Sequence, residues 1–292
     1  MRVAIQGGPV PVEVDQLTDE VAAGIAALGF GGVACHFGST AGEWATPDRV
    51  TTDMCRRARD VLERHGLTVA YSWSFWASLV HADPAVRARA IEVSRGALRV
   101  ARDLGAPCVV SGPGSNDARG GWHPHRENVT DASLARLIRS CREVAGTAEE
   151  CGVQFVLKGH TLSTLDTPEK MKLAIDAVGS PMIKGGADPV NWMKLEHVYD
   201  TTGFIRHIFD VLGDDLVIAH AKDVYLEPRL VLHLTETVQV RGWIDFGTYL
   251  RLFEERCPDG WMVIEHVAAE DTPEAKRHLD AVAARLGIAW QR

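Results

Sequence analysis

Four apolar, strand-like runs in the C-terminal half of the chain each end on a polar side chain. The runs are FVLKGH (155–160), MIKGGADP (182–189), LVIAHAKD (216–223) and MVIEH (262–266). The polar residues that end them are Lys158, Asp188, His220 and Glu265. Short runs that are rich in Val, Ile and Leu are typical of strands buried on both faces, as in a parallel sheet. The carboxyl ends of successive parallel strands meet at one edge, so we expect these four side chains to converge.

The whole chain repeats one unit, a strand followed by a helix. About eight such units fit into the 292 residues, which is the number that closes an α/β barrel. Helix-start signals such as Thr46-Pro47-Asp48 and Asp83-Pro84 support the assignment. The repetition predicts the α/β class, as a (β/α)8 TIM barrel in a single domain over residues 1–292, with an inserted loop or hairpin at about 224–242. The rival is an open Rossmann sheet, which is disfavoured because Gly7-Gly8 is not followed by a GxGxxG fingerprint.

Composition restricts the kind of protein further. A net charge of −8 offers no basic surface for nucleic acid or for an anionic membrane. No apolar run approaches the ~18 residues that a membrane span needs, and the opening MRVAIQGG leads into a strand rather than a signal peptide. Six scattered cysteines without a CxxC pair are typical of reduced thiols. We therefore expect a cytoplasmic protein with no nucleic-acid partner and no membrane partner.

Three of the four strand-end residues could bind a divalent metal. Asp188, His220 and Glu265 offer the oxygen and imidazole ligands that suit Mn²⁺, Mg²⁺, Co²⁺ or Zn²⁺. Such an ion could hold adjacent hydroxyl and carbonyl oxygens and stabilise an enediolate. Alternatively, each polar residue only caps its strand or forms a surface ion pair. Three potential ligands at consecutive strand ends favour a site.

Several of these segments also carry a family resemblance that extends over nearly the whole chain. The most specific are GADPVNW (186–192), HAKD (220–223), RGWIDF (241–246) and VIEH (263–266). With them, the chain resembles the sugar phosphate isomerase/epimerase family of xylose-isomerase-like TIM barrels. The resemblance implies that Asp188, His220 and Glu265 are metal ligands and that Glu265 also acts as a catalytic base.

Lys158 departs from the family pattern. The family has a Glu at this position, which is both a metal ligand and an acid–base group, whereas this chain has Leu157-Lys158-Gly159-His160. A divalent cation repels an ammonium group, which has no lone pair to offer. Three interpretations remain open. Lys158 is a catalytic base or Schiff-base amine, it replaces the metal with a fixed charge paired to Asp188 and Glu265, or it disables the site.

Other side chains are candidates for substrate binding because they follow the predicted strands at the same mouth, or because they lie in the fourth loop or, like Arg229, in the insertion, where an anionic group could be met. They are His160, Lys222, Trp73, Trp76, His36, His123 and Arg229. The rings of Trp73 and Trp76 would stack on the apolar face of a sugar, although large aromatic residues are also common in protein cores. His123 lies in a long fourth loop, and loops of that length are more often functional than idle.

The predicted function is that of an isomerase or epimerase acting on a small keto-sugar or polyol derivative. Glu265 would abstract a proton next to the carbonyl, and a metal or Lys158 would stabilise the enediolate. The alternatives are lyase chemistry, either inosose-type dehydration or β-elimination of a keto-C-glycoside, and a sugar-binding barrel that Lys158 has disabled. We expect a homo-oligomer, and the related C-glycoside deglycosidases make a second type of subunit possible.

Overall fold

Eight short parallel strands close into a barrel in the computed structural model, which describes residues 1–11, 14–35, 47–73 and 77–291. They are β1 (Arg2–Ile5), β2 (Gly32–Cys35), β3 (Thr68–Trp73), β4 (Cys108–Ser111), β5 (Gln154–Lys158), β6 (Ile183–Ala187), β7 (Leu216–Ala221) and β10 (Trp261–Ile264). Neighbouring strands follow the order β1-β10-β7-β6-β5-β4-β3-β2, and β1 pairs with both β10 and β2. The predicted (β/α)8 barrel is therefore confirmed.

The helices pack around the outside of this barrel. They are α1 (Asp19–Ala27), α2 (Thr52–Arg64), α3 (Pro84–Leu104), α4 (Asp131–Cys151), α5 (Pro168–Val178), the single turn α6 (Leu195–Val198), α7 (Thr201–Leu212), α8 (Phe246–Arg256) and α9 (Thr272–Leu286). Within the described residues, none combines the length and the apolar composition that a membrane span requires.

Helix starts are set by side chains that accept a backbone N–H. The Asp83 carboxylate accepts from the N–H of Ala85 at the start of α3, as predicted. The predicted start of α2 at Thr46-Pro47-Asp48 is wrong, because Pro47–Arg49 form a separate 3₁₀ turn. The helix begins five residues later, where the Thr51 hydroxyl accepts from the N–H of Met54.

The barrel interior explains why the polar strand ends point inward. Alternate strand residues share a face, so side chains two positions apart point the same way. Ala4, Ala34, Ala70, Tyr71, Cys108, Val110, Val156, Ile218, Trp261 and Val263 form one buried cluster within the strands. Lys158, His220 and Glu265 each come two residues after one of these inward-facing residues. Their polar groups therefore lie at the C-terminal mouth of the barrel, beyond the buried cluster that fills its interior.

The segment at 224–242 contains a hairpin outside the barrel. Strands β8 (Asp223–Glu227) and β9 (His233–Thr237) pair in antiparallel register. The buried carboxylate of Asp223 accepts backbone N–H groups from Val224, Val240, Gly242 and Ile244 at 2.9–3.2 Å. Asp223 thus fixes both ends of the hairpin to the end of β7, beside the mouth of the barrel.

Candidate active site

The four strand-end residues converge at the C-terminal mouth. Lys158 ends β5, Asp188 directly follows β6, His220 lies near the end of β7, and Glu265 directly follows β10. Their side chains are no more than 2% exposed. Such complete burial of four ionisable groups is costly unless they compensate each other.

Two ammonium groups and two carboxylates provide that compensation. The Lys158 Nζ lies 2.5 Å from Glu265 Oε2 and 3.2 Å from Asp188 Oδ2. The Lys222 Nζ lies 3.2 Å from the same Asp188 oxygen and 3.7 Å from the same Glu265 oxygen. Each carboxylate therefore has one oxygen directed at both lysines.

The ion pairs between the two lysines and the two carboxylates shift the pKa values of all four groups. Burial raises the pKa of a carboxyl group, but Lys158 and Lys222 outweigh it and hold the pKa of Asp188 below, and that of Glu265 well below, the usual range. Burial lowers the pKa of Lys158, and the neighbouring Lys222 lowers it further. The pKa of Lys222 is raised in spite of its burial, because Asp188 and Glu265 favour its charged form.

His220 is neutral in this surrounding. Burial first, and then the charge of Lys158, lower its pKa to about 3. Its Nε2 lies 3.3 Å from the Tyr71 hydroxyl, which in turn donates to the side-chain oxygen of Gln6. Its Nε2 is also 4.0 Å from Glu265 Oε2.

Sequence reasoning missed three residues that hold this site together. The Asn191 N–H donates to Asp188 Oδ1 at 3.1 Å, and the Asn191 side-chain oxygen accepts from Lys222 at 2.7 Å. Tyr71 contacts His220, and Glu236 reaches the site from the hairpin. Asn191 lies inside the GADPVNW segment, and Tyr71 shares a face of β3 with Trp73, so the sequence carried a signal for both.

Glu236 and His266 form the rim. The His266 Nδ1 lies 2.8 Å from a carboxylate oxygen of Glu236, and its Nε2 lies 3.4 Å from Glu265 Oε1. His266 has a positive φ of 58°, which is rare for a residue with a side chain and is often found at functional sites. The Glu236 carboxylate also lies 3.8 Å from the Lys222 Nζ. The hairpin thus contributes directly to the mouth.

A pocket with a cavity volume of about 90 Å³ opens above the charged cluster. Its lining consists of Trp73, Trp122, Lys158, Asn191, Lys222, Glu265 and His266. The pocket has indole rings and buried charged groups in the same small volume. This combination suits a small polyhydroxylated ligand, which has both apolar C–H faces and polar oxygens.

The remaining sequence candidates lie in different places. The His160 ring packs edge-on against Trp122 at 4.9 Å, and burial lowers its pKa to about 4. Arg229 pairs with Glu227 on the hairpin, and the carbonyl of His123 accepts a hydrogen bond from Ser115. His36 and Trp76 lie outside the described residues. A substrate-binding role stays a prediction for all seven candidates, which are His36, Trp73, Trp76, His123, His160, Lys222 and Arg229.

The fold and the site together define a class: an α/β barrel with ionisable groups at the carboxyl ends of its last strands. The family model described as xylose isomerase-like TIM barrel matches residues 22–285. The chain therefore belongs to the xylose isomerase-like TIM barrel family, and the resemblance found in the sequence is confirmed. No curated protein matches the sequence at a significant level.

Solved structures of distant relatives share the barrel. The D-psicose 3-epimerase from Clostridium cellulolyticum H10, solved with D-tagatose, has 16% identity and a TM-score of 0.71 over 98% of both chains. The 3-keto-D-glucoside 4-epimerase from E. coli has 14% identity and a TM-score of 0.72, over 96% of this chain and 99% of its own. A xylose isomerase-like protein from Mycobacterium smegmatis, solved in complex with magnesium, has 15% identity and a TM-score of 0.70 over 98% of this chain and 96% of its own. At these identities the comparison establishes the fold.

The Asp188, His220 and Glu265 side chains suit a metal by position but not by charge. One ligand atom from each lies within 4.8 Å of the others, and all three residues are buried. However, the two carboxylates are already balanced by Lys158 and Lys222, whose ammonium groups face the same carboxylate oxygens. A divalent ion would add two uncompensated charges to a buried cluster and would have to displace the Lys158 ammonium from Glu265. The residues present therefore do not fit a divalent metal.

Proposed function

We propose that this barrel is an isomerase or epimerase that abstracts a proton next to a carbonyl in a small keto-sugar or polyol derivative. The observation that supports the proposal is the position of Glu265 at the buried end of the pocket. There, the Glu265 carboxylate lies within 3.7 Å of two buried ammonium groups. A base next to fixed positive charges is the arrangement that proton abstraction from a carbon acid requires, because the negative charge moves from base to substrate oxygen.

In the proposed reaction, the substrate carbonyl oxygen takes over the hydrogen bond that Lys158 donates to Glu265. The released carboxylate oxygen regains a lone pair and accepts the proton from the adjacent carbon. The electron pair of the C–H bond forms the enolate double bond, and the negative charge comes to lie on the oxygen beside Lys158 and Lys222. For an isomer, the hydroxyl group on the deprotonated carbon gives its proton to the enolate oxygen, and Glu265 returns the abstracted proton to the former carbonyl carbon. For an epimer, a second proton donor on the opposite face protonates the original carbon, and Glu265 then releases its proton to solvent.

The aromatic walls and the rim support substrate binding in this proposal. Trp73 and Trp122 offer ring faces to the C–H surface of a sugar, and Asn191 and His266 offer polar atoms at the edge of the same pocket. The buried base and ammonium groups lie below them, where little water competes with the substrate.

Hydrogen exchange at the carbon next to the carbonyl tests the proposal. We would incubate the protein in D₂O with a panel of free ketopentoses and ketohexoses and follow the C–H signals by ¹H NMR, with heat-denatured protein as the control. The proposal predicts deuterium incorporation into at least one ketose, together with a new isomer or epimer. Formation of a dehydrated or cleaved product would instead identify a lyase. Broadening of sugar signals without any exchange would identify a binding protein.

The sugar-binding alternative has one specific observation in its favour. The lysines hold the pKa of Glu265 well below the usual range, which weakens this carboxylate as a base in the ligand-free protein. A barrel that kept these ion pairs after a sugar had entered would bind the sugar without turnover.

A further inference from the structure

We infer that the Lys158 ammonium takes the place of a divalent cation in this barrel, so that the site is complete without a metal. The inference rests on the charges and contacts of the buried cluster and is independent of the substrate. It concerns the one position at which this chain departs from the ligand pattern that its family resemblance implies.

The orientation of both carboxylates supports the inference. Asp188 directs Oδ1 at the N–H of Asn191 and Oδ2 at the two lysines. Glu265 directs Oε1 at His266 and Oε2 at the same lysines. The oxygens that would bind a shared cation are thus the oxygens that face Lys158.

The charges of the cluster support it independently. The buried cluster contains two carboxylates and two lysine side chains, and each lysine lies within 3.7 Å of both carboxylates. Lys158→Glu would give three carboxylates and one ammonium, so the cluster would have two excess negative charges. A divalent cation would then restore neutrality, and the donor set of three carboxylates and one imidazole would suit Mn²⁺.

A titration with MnCl₂ tests the inference. Wild type, K158E and K158Q would be stripped of metal and titrated, with calorimetry for stoichiometry and affinity and the thermal midpoint as a second readout. K184E is the matched control, because Lys184 lies on the neighbouring strand β6 and pairs with Asp215 outside the cluster. We expect K158E to bind about one Mn²⁺ per chain, roughly 100-fold more tightly than wild type or K184E.

Two results would overturn the inference. One is wild type binding one Mn²⁺ per chain as tightly as K158E does. The other is a folded K158E that gains no affinity over wild type. If K158E does not fold, K158Q decides the matter, because it removes the ammonium without adding a third buried carboxylate. A higher Mn²⁺ affinity of K158Q than of wild type would support the inference, and equal affinities would refute it.

Discussion

Replacing Lys158 with methionine is expected to lower the free energy of unfolding by about 3–5 kcal/mol at pH 7. The substitution keeps most of the side-chain volume but leaves Asp188 and Glu265 facing each other with only Lys222 between them. An unbalanced buried carboxylate is costly, and little solvent reaches side chains that are about 1% exposed. Chemical denaturation of both proteins measures the difference.

The difference in the free energy of unfolding between wild type and K158M should depend on pH. In wild type, the lysines hold the pKa values of Asp188 and Glu265 below their unfolded values, which are about 4. A lowered folded pKa stabilises the protein above the unfolded pKa, and this contribution disappears as the pH falls through the folded pKa. The difference between wild type and K158M should therefore be largest near neutral pH and shrink below about pH 4.

Two further variants separate charge from packing. Adding Glu265→Gln to K158M removes the excess carboxylate, so the double variant should be more stable than K158M alone. Lys184→Met, at a half-buried lysine paired with Asp215, should cost no more than about 1 kcal/mol. A K158M protein as stable as wild type at pH 7, or a double variant less stable than K158M, would show that the ion pairs are not what holds the cluster.

Glu265→Gln is expected to reduce the rate of C–H exchange by roughly 10²–10⁴-fold. Glutamine has nearly the same shape as glutamate but has no basic oxygen, so substrate should still bind while the proton stays on carbon. The expected result is a fall in kcat with a small change in KM, measured by ¹H NMR in D₂O on the ketose that wild type accepts.

The control for this variant is Glu63→Gln. Glu63 is an exposed glutamate on α2 that pairs with Arg59 far from the mouth, so its loss should leave the exchange rate unchanged. Unaltered exchange in a folded E265Q would remove Glu265 from the role of base and would direct attention to the other polar groups of the pocket.

The barrel can be predicted from the sequence alone because the signals for its strands and helices are local. Apolar runs, helix-start signals and their alternation are all set within a few residues, and the closed parallel topology follows from their order. Convergence of Lys158, Asp188, His220 and Glu265 follows from the same reasoning, since carboxyl ends of parallel strands meet at one mouth.

The contacts that Lys222 and Glu236 make at this site could not be predicted from the sequence, because they join segments that are distant along the chain. Lys222 lies two residues after His220, and its approach to Asp188 and Glu265 depends on the positions of three strands. Glu236 reaches the site only because the hairpin folds back over the mouth, where Asp223 fixes it. Among three interpretations of Lys158 that the sequence left open, the pairing with both carboxylates favours the fixed positive charge.

The most direct test of the account is the exchange rate of metal-free protein in the presence of excess EDTA, compared with the rate after MnCl₂ or MgCl₂ is added back. If Lys158 and Lys222 supply the positive charge for the developing enolate, wild type should exchange the ketose proton equally fast in all three conditions, and K158M should be slow in all of them. Exchange that stops with EDTA and returns with a divalent metal would contradict the account, because the cation would then be a metal ion and not the Lys158 ammonium.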